Sequence, residues 1–375
     1  MKYYYLATTL MVLLLNSSLT AQIVGTIAQN VNIDDALIYD DAGNLYGSNF
    51  EGSTVYKMTP DGTVSPFVSG FDSPNGLAFD SAGNLYVVAH FDSQIFKVLP
   101  NGEKSVFAEY TRPSGIIKEL DSDTMIVTSY TNNSLAKIAP DGTVHPFVSN
   151  NALNGPVGLA YDHHNQLYVA NFDDKIIHKV MDNGELEHLV QLPGTWLGFI
   201  AYRDSFIYAT ILNSNRIYRV DLEGNFTLFA GNGGGHMDGD LSVARFSRPN
   251  GITLSPGGDS LVISDFQSKS IRYIDFSNVV GTQNLSNGTI ADFSVSPNPA
   301  QDFTRVVFSL ETTTRLTLDL VDVNGKTLKL LLQNEVFSEG QHDVPVNISN
   351  LPKGHYFLRL TPENGLVAGR KLIIR

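Results

Sequence analysis

No cysteine occurs in the 375 residues, so disulfides, thiol nucleophiles and thiolate metal sites are all closed to this chain. Tryptophan is nearly absent too, with Trp196 alone. Basic residues are sparse: 25 Lys plus Arg stand against 38 Asp plus Glu, for a formal net charge of -13. A nucleic-acid reader neutralises phosphates with basic clusters, and here the basic residues are scattered, which excludes that class of partner. Long apolar runs are also missing. The stretch Leu10 to Leu15 is too short to span a bilayer, and no window keeps apolar residues at helical spacing for long enough to make a good helix.

That short run has its own meaning. Lys2 precedes it, and Ser17-Ser18-Leu19-Thr20-Ala21 follows with small residues suited to cleavage. This is the layout of a secretory signal peptide over residues 1–21, and the mature protein is expected to carry no transmembrane segment.

What the chain has in abundance is a repeat of close to forty residues, seen best in SPNGLAFDSAGNLYVVAHFDSQIFKVLPNG from Ser73 to Gly102. Aligned on one strand, the copies read Val55 to Met58, Ile95 to Val98, Leu135 to Ile138, Ile177 to Val180, Ile217 to Val220 and Ile271 to Ile274. Turns such as Pro60-Asp61-Gly62, Pro100-Asn101-Gly102 and Pro140-Asp141-Gly142 follow that strand, with glycine supplying the positive φ of a tight hairpin. Six units of short antiparallel strands predict an all-β fold, a six-bladed β-propeller over residues 22–280. The sixth unit lacks a fourth strand. Ile23 to Ala28 resembles the fourth strands Thr63 to Val68 and Thr143 to Val148, so the N-terminal segment is expected to complete the last blade and close the ring.

Residues 281–291 read as a polar linker. From Asp292 onward nine Lys plus Arg balance nine Asp plus Glu, which leaves the acidity to the propeller. The alternating segments Thr304 to Leu310, Leu316 to Val323, Leu328 to Leu332, His342 to Val346, Tyr356 to Leu360 and Leu372 to Arg375, with a turn at Val323-Asn324-Gly325-Lys326, predict an immunoglobulin-like β-sandwich over 292–375.

In this tail Ser296-Pro297-Asn298-Pro299-Ala300, Asp322-Val323-Asn324-Gly325, Leu351-Pro352-Lys353-Gly354-His355-Tyr356 and Arg370 to Arg375 resemble, in order, the type A C-terminal sorting domain of the type IX secretion system. The resemblance implies a Bacteroidetes-type bacterium, passage through the periplasm, the type IX machinery as a partner, and release or anchoring at the outer surface. The propeller resembles NHL repeats and gluconolactonase-like propellers. Its last unit carries that likeness furthest, with Ala230 to Gly235, Asp238-Gly239, Ala244, Phe246, Pro249-Asn250-Gly251, Ser264-Asp265 and Ile271-Arg272. The glycine run has no strand before and helix after it, so it reads as a long blade connection and not as a phosphate loop.

The starts of the innermost strands and the ends of the second strands share one face of the ring, the face at the channel mouth. The starts are Asp35, Asn75, Ser114, Val157, Leu197 and Asn250; the ends are Asn49, His90, Tyr130, Asn171, Ile211 and Asp265. Both positions are polar in blades one, two and six. Ligand-binding candidates are therefore Asn49, Asn75, His90, Tyr130, Asn171, Trp196, Asn250 and Asp265. Trp196 either stacks on a sugar ring or caps the channel, and His90 is the candidate general base.

The gluconolactonase likeness implies a calcium at the channel, with Asp35 in the place of the first-blade carboxylate and Asn75 and Asn250 as further oxygen ligands. Val157 and Leu197 depart from that pattern, and Asn or Asp after proline equally forms local turns. Two readings follow: a noncatalytic exported propeller that binds a protein, glycan or small-molecule ligand over its channel face, and a calcium-dependent lactonase-like hydrolase. No Ser-His-Asp order or G-x-S-x-G turn is present.

Overall fold

The computed structural model describes residues 22–276, 290–298, 300–310, 312–321, 327–363 and 368–374. The signal peptide over 1–21, most of the linker over 281–291 and the Val323 to Lys326 turn lie outside the described residues. Two compact units result, divided between residues 278 and 279.

The first unit is all strand, in six sheets. Blade one runs Leu37–Tyr39, Leu45–Ser48, Thr54–Met58 and Val64–Ser69, and blades two to five repeat that antiparallel meander from Pro74–Phe79 to Phe226–Ala230. Each innermost strand touches the next, and the innermost strand of blade six, Pro249–Leu254, returns to that of blade one. The second strands are buried end to end, as in Leu85–Ala89 and Leu167–Asn171. Neighbouring blades cover both of their faces, which is why they read as unbroken apolar runs. The outermost strands face water and alternate instead.

Ring closure is as the sequence predicts. Ile23–Gln29 pairs antiparallel with Ser270–Asp275 of blade six, Val24 opposite Ile274. The long connection after Ala230 adds a feature the repeat does not foretell: Gly239–Asp240 pairs with the N-terminal strand as a fifth strand. Arg272, wholly buried, ties the pieces together. Its guanidinium donates to the Arg245 and Met237 carbonyls at 3.0 Å each and to Asp238 at 2.7 Å, and lies 3.5 Å from Asp265.

A column of glycines lets the inner strands approach. A Cβ on Gly115 would stand 1.8 Å from the Val157 carbonyl oxygen, and one on Gly251 would stand 2.0 Å from that of Asp35. Neither position tolerates a side chain without moving backbone.

The second unit is a β-sandwich. Ile290–Ser296, Phe303–Leu310 and Gly340–Asn347 form one sheet; Thr327–Phe337, Thr314–Val321, Gly354–Pro362 and Ala368–Ile374 form the other. Phe308, Leu318, Leu358 and Leu372 lie in the core between them. The strand from Ile290 begins inside the segment read as linker, because Ile290 and Phe293 are buried in that core.

Candidate functional site

The innermost strands of blades two to six share a local device at the channel mouth. The residue just before each strand has positive φ: Ser73, Arg112, Gly155, Trp196 and Arg248. A register shift follows at once, between Pro74 and Leu77, Pro113 and Ile116, Pro156 and Gly158, Leu197 and Ile200, and Pro249 and Ile252. Such bulges unpair one residue and re-aim its side chain. They leave Asn75, Ser114, Val157 and Asn250 lining a cavity of about 480 Å³, together with Asp35, His90, Tyr130 and Trp196.

Aromatic side chains wall this cavity. Ring centroids step from Phe50 to His90 at 5.7 Å, His90 to Tyr130 at 6.0 Å, Tyr130 to Phe172 at 6.1 Å and Phe172 to Trp196 at 5.7 Å. Phe91 joins between Phe50 and His90, and Arg248 lies over the Trp196 ring. The Tyr130 hydroxyl donates to Asp173 at 3.0 Å, and burial and that carboxylate push it up to about 12. It stays a neutral phenol, its polar end engaged.

Polar groups gather on blades one, two and six. Asp35, Asn75 and Asn250 are 3%, 7% and 9% exposed. Asn250 Nδ2 donates to Asp35 Oδ1 at 2.6 Å and reaches the Asp34 carbonyl at 3.3 Å. Burial, then the neighbouring Asp34, raises the Asp35 carboxyl well above the usual carboxylate range. Asp34 accepts from the Phe50 amide at 2.7 Å and, chiefly through burial, is raised to about 6. The Asn75 side-chain oxygen finds no donor among the described residues. His90 Nδ1 stands 3.0 Å from the Pro113 carbonyl and 3.2 Å from Ser114 Oγ. A carbonyl only accepts, so Nδ1 carries the proton and Nε2 the lone pair. Burial holds the ring's pKa down, which favours the neutral imidazole.

Of the predicted site residues, Asp35, Asn75, His90, Tyr130, Trp196 and Asn250 do line the cavity. Asn49, Asn171 and Asp265 do not. Asp265 accepts from the Ser247 amide at 2.6 Å and from Ser268 at 2.7 Å beside Arg272. Asn171 donates to the Ala152 carbonyl at 2.8 Å, and the Asn49 amide lies against Gly52. Side chains alternate along a strand, so it is mainly the residue after the strand end that faces the cavity. That position holds Phe50, Phe91, Phe172, Leu212 and Phe266, all in the lining with Glu51 and Arg248. Phenylalanine in four of six copies was the available signal.

Calcium prefers six to eight oxygens. Here Asn250 turns its N–H group toward Asp35, Asp265 is taken up by Arg272, and the cavity lining on the three polar blades offers the carboxyls of Asp35 and Glu51 and the Asn75 oxygen. Among the described residues no three His, Asp or Glu side chains stand close enough to share a metal. Among the described residues the cavity thus assembles no carboxylate cluster of the kind calcium prefers.

Residues 294–375 match the secretion system C-terminal sorting domain family. The curated protein sequences contain no match to the chain. Among solved structures, an auxiliary nutrient binding protein from Bacteroides ovatus is 14% identical at a TM-score of 0.59, covering 68% of this chain and 76% of that one. A gluconolactonase from Xanthomonas campestris is 14% identical at 0.55, covering 69% and 92%. A catalytically inactive virginiamycin B lyase from Staphylococcus aureus, with quinupristin, is 16% identical at 0.50, covering 64% and 80%. Identities this low speak to fold alone. The chain is thus a six-bladed propeller of the fold shared by gluconolactonase-like proteins and Bacteroides nutrient-binding proteins, joined to a secretion system C-terminal sorting domain.

Proposed function

We propose that the propeller is an exported binding protein whose channel-mouth cavity holds a ligand with a flat, apolar-faced ring, such as an aromatic compound or the C–H face of a sugar unit in a glycan. The observation that carries this is the continuous aromatic wall from Phe50 to Trp196. Rings of this kind offer large rigid area at low entropic cost. The sorting domain supports delivery by the type IX system, through the periplasm to the cell surface or the medium. The same fold is found in the auxiliary nutrient binding proteins of Bacteroides.

Hydrolysis is the weaker reading. Ser114 lies beside His90, but the nitrogen it meets already donates to Pro113, so His90 cannot take the serine proton there. On the binding reading the cavity works without calcium, and millimolar calcium is expected to leave both binding and the melting temperature unchanged.

Trp196, the single tryptophan, makes the test direct. Titration with aromatic compounds and neutral oligosaccharides should change tryptophan fluorescence saturably, and Phe172→Ala should weaken that binding by about tenfold, the scale of a lost stacking contact. Saturable binding that Phe172→Ala and Phe50→Ala leave unchanged would place the ligand elsewhere.

A further inference from the structure

An aromatic wall does not specify charge, but the groups on blades one, two and six do. The buried Asn75 oxygen lacks a donor, His90 presents an Nε2 lone pair, and Asp35 brings a carboxyl. Asn250, which might have supplied a donor, spends its N–H on Asp35. The Asn75 oxygen, the His90 lone pair and the Asp35 carboxyl thus offer acceptors to a ligand on this side. The faces of Phe50, Tyr130 and Trp196 are themselves electron-rich and attract cations.

We propose that the ring-bearing ligand carries a protonated amine, seated beside Asp35 and the Asn75 side-chain oxygen with the aromatic wall framing it. This rests on the cavity being the ligand site. An ammonium supplies three N–H donors and a positive charge, which meets the unpartnered oxygen, the carboxyl and the π faces together. A neutral hydroxyl brings one donor, and an anion brings none.

The charged and titratable groups around the seat are Asp34 beside Asp35, Glu51 and Lys269 flanking Asp34, His90 on blade two, and Arg248 just before the innermost strand of blade six. Among the described residues Arg248 is the one Lys or Arg in the cavity lining, and its guanidinium is held over Trp196 at 5.9 Å. An arriving ammonium favours the carboxylate form of Asp35, with which it pairs.

Three probes with one ring separate the possibilities: phenethylamine, 2-phenylethanol and phenylacetate, titrated into the full chain against Trp196 fluorescence. Phenethylamine should bind about tenfold tighter than the alcohol, a margin of cation–π and ion-pair size, with phenylacetate weakest. Asp35→Asn should erase the preference while alcohol binding persists. Equal binding of amine and alcohol, or a preference that survives Asp35→Asn, overturns the amine assignment and leaves the cavity as a ligand site. Failure of all three probes, alongside failure of neutral oligosaccharides, overturns the ligand site itself and the amine assignment with it.

Discussion

Asp34 and Asp35 are adjacent carboxyls held away from water, and each costs the fold something at neutral pH. Asp34 has an ordinary value of 3.8 and is raised to about 6 in the folded protein. The folded state therefore binds the proton more tightly than the unfolded chain. Its contribution is most favourable at low pH, falls as pH rises from about 4 to about 6, and is fully lost above that. The rise is worth roughly 3 kcal/mol. Asp34→Asn keeps an oxygen for the Phe50 amide and removes the titration. In denaturant unfolding, the variant should gain on the parent from about zero at pH 4 to roughly 3 kcal/mol at pH 7; a difference that stays flat with pH would show that Asp34 is not the group responsible. At this scale the sequence was partly legible. Asp35, Asn75 and Asn250 could be found because they break a repeat. Phe50, Phe91 and Phe172 follow the strand-end column by one residue; within that column only His90 and Tyr130 face the cavity, while Asn49, Asn171 and Asp265 turn aside.

Strands explain why the inner ring is built on glycine. Gly76, Gly115, Gly158, Gly198 and Gly251 occupy one column of the repeat, and Ala36 fills it in blade one. At Gly115 the next blade's carbonyl oxygen lies 1.8 Å from where a Cβ would be. Gly115→Ala must push Val157 and its strand outward, and should cost roughly 3 kcal/mol, the upper range for overpacking. Gly369→Ala in the sandwich, where a Cβ would meet nothing within 4 Å, serves as the control and should be near neutral. Equal melting temperatures for the two variants would show that the inner strands have slack. The strands themselves were legible from β-branched runs and proline-glycine turns. Their bulges were not, because a register shift depends on the partner strand as well as on local composition.

Across the whole molecule, the ring has one seam, and blade six contains it. The N-terminal strand is held there by the ladder to Ser270–Asp275 and by polar contacts from the long connection: Thr26 donates to Asp238 at 2.8 Å, and His236 stands 3.2 Å from both Thr26 and Gln29. Arg272 anchors that connection from inside. Arg272→Met leaves Asp265 buried beside an apolar side chain, a change expected to cost about 3–5 kcal/mol and to lower the melting temperature by roughly 10 °C. The check is calorimetric unfolding of the full chain. A loss below about 1 kcal/mol would mean that the strand ladder alone closes the ring.

Sequence by itself determined the fold class, the number of blades, the closure by the segment Ile23 to Ala28 and the sorting tail. Each of these repeats a local pattern of apolar spacing and turn residues that adjacent positions specify without reference to distant ones. Only the tertiary structure decided what the site is. Asn250 and Asp35 are 215 residues apart in the chain and meet because the ring closes; Asp265 carries a carboxylate of the expected kind yet turns to Arg272 because burial of that guanidinium demands a partner. The chemistry of the cavity follows from which side chains the closed ring turns inward, and that is settled by packing between blades.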